Sequence, residues 1–355
     1  MKILIIAPYP FDCAASQRFR FEQYLSAMEK RGFSFVMSSF FDKKTWDIIY
    51  KPGHFLPKIL GLLLGYLRRF YDVLRVFQFD FVLIHREDSP FGLPIFTWLF
   101  AKVFRKKIIY DFDDAIWIPN ASDSNDFVSF LKRYANTATI CRWAYKISCG
   151  NDYLCTYASQ FNANVFFIPT VLDTNHYHNL TKNYTHEKLI IGWTGSHSTI
   201  KFLDEIFTVL QKLEQEGYPF EFRVISDQAP TFKLKSMKFV LWNKKNEITD
   251  LLAFDIGIMP LSDDEWARGK CGFKALQYMS LGIPAMVSPI GVNTQIVDDC
   301  INGIICSNKE DWYHSFIKIM QDRSILERLG SASRDKIIRK YSVQAHTENF
   351  FGLFS

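Results

Sequence analysis

The residues best suited to chemistry lie in loops that follow apolar runs. The richest stretch is Asp255-Ile-Gly-Ile-Met-Pro-Leu261, continued by Ser262-Asp-Asp-Glu-Trp-Ala-Arg-Gly-Lys270 and Cys271-Gly-Phe-Lys-Ala-Leu-Gln-Tyr-Met279. An apolar strand feeds a polar loop, and the loop feeds a helix with Gly272 and Lys274 in its first turn. The unpaired N–H groups and positive dipole end of such a helix would meet Arg268, Lys270 and Lys274 at one spot, which suits a diphosphate. A solvated basic loop capped by glycine is the plain alternative. Glycines that admit a ligand close to the backbone, in a loop after a strand, favour the diphosphate.

Other loops are less specific. In Gly195-Ser-His-Ser-Thr-Ile-Lys201, the residues Ser196, Ser198 and Thr199 read as an N-cap cluster for a helix beginning near Ile200, and His197 as either a ligand contact or a surface residue. Asp111, Asp113 and Asp114 follow the apolar run that starts at Lys107. Clustered acids repel one another, so a cationic or hydroxyl-bearing ligand is expected there, with a turn or helix cap as the alternative. Two of these carboxylates also have the form of a Mg²⁺ or Mn²⁺ pair. In Ala14-Ala15-Ser16-Gln17-Arg18-Phe19-Arg20, small residues including Ser16 allow close passage of a ligand, and Arg18 is placed to meet a phosphate. His85-Arg86-Glu87-Asp88 ends another run and is assigned to an acceptor-lining position by place alone.

These loops need a scaffold that presents strand ends. Short apolar runs at 2–7, 33–37, 79–84, 107–112, 146–148 and 165–168 alternate with helical stretches, the rhythm of a parallel sheet covered on both faces. The polar, aperiodic interval 169–187 interrupts it, and runs at 188–193, 221–225, 239–241, 255–259, 283–287 and 303–306 restart it. The expected fold is α/β: two doubly wound, Rossmann-like domains facing a cleft, divided as 1–170, a linker 171–187, 188–340, and a closing helix 341–355 that folds back on the first domain or caps the second.

On these residues the chain resembles the GT-B glycosyltransferases, in particular the large retaining family 4 class and a bacterial branch with an Arg-Gly-Lys-Cys-Gly loop. The resemblance spans nearly the whole sequence. It implies a nucleotide-sugar donor in the second domain, an acceptor in the first, no cofactor and no metal, since helix dipoles and lysines do the work of a cation. It makes Lys201, with Gly195 and Ser196, part of a diphosphate clamp, Ser196 standing where relatives carry arginine. It makes Gln277 the ribose contact and Asp113 the counterpart of a sugar-site histidine, so that Asp113 and Lys270 are the candidate catalytic residues. Asp111, Asp114, Ser16, Arg18, His85 and His197 are assigned to the sugar or acceptor cleft. The family's paired glutamates are Gly269 and Gln277 here, and Glu265, Asp264 or Lys270 is expected to fill the place of the first.

Composition narrows the setting. Hydrophobic residues make up 48% and charged residues 22% of 355, a folding composition too long for a single core. The net charge of +5 is regional: from Lys51 to Lys107 there are ten Lys or Arg against four Asp or Glu. A uniformly basic nucleic-acid coat is thereby disfavoured. Seven scattered cysteines give neither a disulfide framework nor a zinc site, which fits a reducing cytoplasm, and the Asn-x-Ser/Thr triplets at Asn120, Asn179 and Asn183 carry no weight. The apolar start is broken by Pro8 and Pro10 before a signal peptide is complete, and no run reaches membrane-spanning length. The segment 55–77, an apolar helix edged by Lys58, Arg68, Arg69 and Arg75, reads either as a sheet-covering helix or as a contact with the inner face of an anionic membrane. A retaining glycosyltransferase of cell-surface polysaccharide assembly (lipopolysaccharide, capsule or exopolysaccharide) is the leading expectation. A nucleotide-sugar 2-epimerase and a noncatalytic sugar-nucleotide or glycan-binding subunit are the alternatives.

Overall fold

The computed structural model describes residues 1–119, 134–185 and 188–355; the Asn120 triplet and linker positions 186 and 187 lie outside them. The chain forms two compact units, one of Met1–Thr170 with His346–Ser355 and the other of Val171–Ala345.

In the first unit the strands are β1 (Lys2–Ala7), β2 (Ser34–Ser39), β3 (Phe81–His85), β4 (Lys107–Phe112), β5 (Lys146–Cys149) and β6 (Val165–Phe167), in the order β2-β1-β3-β4-β5-β6. Every pairing is parallel. Strands covered on both faces need apolar residues at consecutive positions, which is why Ile3 to Ala7 and Phe81 to Ile84 are buried without alternation. The second unit holds β7 (Leu189–Gly195), β8 (Phe220–Ser226), β9 (Met237–Leu241), β10 (Ile256–Met259), β11 (Ala285–Val287) and β12 (Gly303–Ile305), ordered β12-β11-β10-β7-β8-β9 and again all parallel. Helices Asp204–Gln215 and Lys309–Gln321 bury Ile206, Leu210 and Phe316 against Ile191, Phe222 and Ile258.

Strand order decides where a ligand fits. Where neighbouring strands send their crossovers to opposite faces, the loops beyond their carboxyl ends part and leave a crevice. In the first unit that point lies between β1 and β3, and in the second between β7 and β10.

The interval expected to be a linker is packed rather than loose. The Lys182 ammonium pairs with Asp255 at 2.9 Å, and the Tyr184 hydroxyl donates to the Gly282 carbonyl at 2.7 Å, both within the second unit. The segment 346–355 belongs to the first unit: Phe350 stacks on Tyr24 at 4.2 Å, Phe354 meets the edge of Phe81 at 5.7 Å, and Glu348 pairs with Arg31.

Candidate functional site

Gly195 ends β7 and Met259 ends β10, so the loops carrying Lys201 and Lys270 both leave the sheet at the second unit's crevice. Glycine brings the following helix unusually close. A Cβ at Gly257 in β10 would lie 2.2 Å from the Tyr278 ring, so only glycine lets Tyr278 lie across the strand. From there the Thr194 N–H donates to the Tyr278 hydroxyl at 3.0 Å, tying the helix Phe273–Ser280 to the end of β7.

That helix starts at Gly272, whose φ of 69° is left-handed, and a Cβ there would lie 2.2 Å from Ile296 Cδ1. Both the backbone and the space exclude a side chain. Gly272→Ala is expected to cost about 2–4 kcal/mol of stability, combining the left-handed penalty with overpacking. A urea midpoint equal to the parent's would show the Ile296 contact to be softer than this.

The lysines converge. Trp266, in the short helix Glu265–Arg268, stacks parallel to Phe202 with ring centres 5.9 Å apart. The Lys270 ammonium sits 3.5 Å from the Trp266 ring centre, and that of Lys201 sits 5.2 Å from the same ring. Lys274 lies 5.4 Å from the ring of Trp193, the buried β7 residue beside Gly195. Aromatic faces attract ammonium groups but do not neutralise them. Among the described residues Lys201 makes no ion pair. Two lysines brought to one ring concentrate positive charge at the crevice, an arrangement that suits a polyanion.

Several expectations need correction here. The Arg268 guanidinium is engaged by exposed Asp263 at 2.7 Å. The Asp264 carboxylate caps the Glu265–Arg268 helix, its Oδ1 accepting from Ala267 N–H at 2.7 Å. The Ser196 side chain makes no cap either: it faces the Ser198 hydroxyl at 2.9 Å, and the helical turn begins at His197 rather than near Ile200. Asp227, beyond β8, does the capping by accepting from His197 N–H and its Nδ1, each at 2.6 Å, so His197 is held by Asp227. Gln277 is buried in the helix Phe273–Ser280.

In the first unit the acids are already answered by the protein's own cations. Asp111 is 1% exposed and takes Arg20 at 2.5 Å, Ser148 Oγ at 2.7 Å and His85 Nδ1 at 2.8 Å. Burial would raise its carboxyl, but Arg20 and His85 outweigh that and hold it far below the usual carboxylate range. Asp111 and His85 therefore belong to a buried network, not to an open acceptor surface. Arg86 bridges Asp113 and Asp114, both at 2.7 Å, and the two carboxylates keep its guanidinium protonated despite burial. Mutual repulsion among the three acids thus does not call for an external cation. Arg18 is buried against the Phe19 ring with its Nε 3.6 Å from Asp12, so its charge too is met from within, and Ser16 lies half-buried beside it. Near them Glu22 is pushed up to about 7 by burial, against the Gln17 hydrogen bond and the Arg18 charge.

Sequence reasoning missed Trp266, Tyr278 and Asp227. Trp266 alone carried a signal, an aromatic side chain in a loop otherwise made of charge and glycine.

No protein-family model and no curated protein matches the chain in sequence. Solved structures do match in shape. A glycosyltransferase from Rickettsia africae is 13% identical over 99% of this chain and 97% of its own, with a TM-score of 0.70. Sucrose-phosphate synthase from Thermosynechococcus elongatus is 11% identical over 99% and 98%, with a TM-score of 0.69. Anabaena HepE in complex with UDP-glucose is 13% identical over 99% and 98%, with a TM-score of 0.63. At such identities the likeness shows the fold, the two-domain GT-B arrangement of parallel sheets.

Proposed function

We propose that this protein is a retaining glycosyltransferase that moves a sugar from a nucleotide-sugar donor to a glycan or lipid-linked acceptor in cell-surface polysaccharide assembly. The observation that carries the reading is the meeting of Lys201 and Lys270 on Trp266 at the β7/β10 crevice. Breaking a bond between a sugar and a nucleoside diphosphate leaves negative charge on the departing phosphate and positive character on the sugar. Fixed cations that meet the first charge lower the barrier without a protein nucleophile.

In this reading Lys201, Lys270 and Lys274 hold the diphosphate, while Gly195 and Gly272 admit it close to the backbone. Gln277 hydrogen-bonds the ribose as an uncharged group. Asp113, steadied by Arg86, is the proposed sugar contact. The nucleotide-bound GT-B neighbours, HepE with UDP-glucose and the starch synthase IV catalytic domain with ADP, support a donor of this class.

The test incubates the purified protein with radiolabelled nucleotide sugars, with and without a membrane lipid extract. Label passed to lipid, only when extract is present, is the expected result. Interconversion of the donor alone would make the protein an epimerase, and binding without turnover would make it a noncatalytic subunit; either sinks the transferase reading.

A further inference from the structure

The helix Phe55–Arg75 is turned inside out for a protein surrounded by water. A surface helix normally buries its apolar stripe and shows water its polar one. Here the buried positions are Gly61, Gly65, Arg69 and Asp72. The outward stripe is Leu56, Leu60, Leu63, Leu67, Phe70 and Leu74, with Leu56 at 80% and Leu74 at 72% exposure. The stripe continues at the helix ends, where Phe55 and Phe77 are also exposed.

The orientation is locked from beneath. A Cβ at Gly61 would lie 2.4 Å from Thr45, and one at Gly65 would lie 2.4 Å from the Phe40 ring, so the backbone rests directly on its neighbours. The Arg69 guanidinium donates to the carbonyls of Asp88 at 2.6 Å and Ala7 at 2.9 Å and pairs with Asp72 at 3.2 Å, all out of water. Rolling the helix to hide its leucines would strip that buried charge of its partners. Beside it, Phe96 packs on Phe70 at 5.3 Å, and the short helix carrying it, Ile95–Trp98, exposes Ile95 and Trp98.

The charge of this stretch is predominantly positive. Of the four acids between Lys51 and Lys107, Asp72 and Asp88 are buried, Glu87 is half-buried and Asp80 is exposed, whereas Lys51, Lys102, Arg105 and Lys107 are all exposed. Arg69, expected at the helix edge, is not among the exposed cations; Arg68 lies partly covered against Asp42, and Arg75 against Asp72. Among the described residues no helix is long and apolar enough to cross a membrane.

We propose that the outward face of Phe55–Arg75, with Ile95 and Trp98, lies in the surface of a bilayer containing anionic phospholipid. Leucine and aromatic side chains enter the boundary between headgroups and acyl chains, and surrounding cations are drawn to the headgroups. A second copy on this face would instead bring two cationic rims together. The inference stands on the first unit alone and is independent of the donor chemistry.

Flotation of the full chain tests it, using vesicles of phosphatidylcholine with phosphatidylglycerol against phosphatidylcholine alone. The parent should float with the anionic vesicles and little with the neutral ones, and less as salt rises. Leu63→Asp with Leu67→Asp should lower the bound fraction at least about tenfold with an unchanged melting curve, since both positions already face water. Lys102→Glu with Arg105→Glu, away from the leucine stripe, should weaken binding several-fold and serves if the first variant misfolds. No flotation, equal flotation with neutral vesicles, or a solution dimer that Leu63→Asp with Leu67→Asp makes monomeric would each overturn the proposal.

Discussion

Replacing both lysines that share Trp266, as Lys201→Ala with Lys270→Ala, is expected to weaken nucleoside diphosphate binding roughly a hundredfold or more. A hydrogen bond to a charged group contributes about 1.5–3 kcal/mol, and two of them about 3 kcal/mol at least, which corresponds to that factor. The single changes should not add, because the two ammonium groups approach one ring and would share one diphosphate. Titration calorimetry with UDP, ADP and GDP identifies the diphosphate that the parent binds. The matching nucleoside, which lacks phosphate, is the control. The double variant should bind that nucleoside as the parent does; an equal loss for both ligands, or no loss for either, would remove the lysines from the diphosphate site. In transfer assays the same variant should lose about 10²–10³ in turnover, as when a preorganised charge-stabilising donor is deleted.

Asp111→Asn should be the most damaging change in the first unit. The carboxylate is buried among Arg20, Ser148 and His85, and the amide would leave the Arg20 charge inside the protein without its counterion. Removing one partner of a buried pair costs about 3–5 kcal/mol, read as a lower urea midpoint. The parent should show the same group in its pH dependence. Because Asp111 is held below its unfolded value, the stability it contributes is fully present above roughly pH 4–5 and is lost as pH falls toward the depressed folded value. The variant should lack that acid limb. A variant as stable as the parent at neutral pH would mean that Arg20 has found water or another partner.

The comparison of sequence with structure turns on what spacing encodes. The twelve strands of the described residues lie where apolar runs predict them, with ends shifted by two residues or fewer; central strands such as β1 and β3, buried on both faces, leave an unbroken apolar signature. Lys270 and Lys274 were legible for a related reason: glycines and cations after a strand mark a loop that must approach something closely. The meeting of Lys270 with Lys201 on one indole was not, since no local pattern tells which ring a distant ammonium will reach. The acids of β4 failed differently. Position at a strand end does not reveal that Arg20, 91 residues away, turns inward to meet Asp111. The helix Phe55–Arg75 shows the limit of periodicity itself, which separates two faces without saying which one the protein covers. Only Gly61, Gly65 and the Arg69 contacts settle that, and the contacts are long-range.

The placement of residues 346–355 has a consequence for how the chain comes into being. Tyr24, Phe33 and Phe81 receive ring partners from Phe350, Phe351 and Phe354, and Lys146 receives the carbonyl of Gly352. On the ribosome the amino-terminal unit must wait for these partners until the whole of Val171–Ala345 has been translated, on the order of ten seconds or more at ordinary elongation rates. Through that interval its unfinished aromatic seam stays open to chaperones, and a fragment released before residue 346 would keep it open for good.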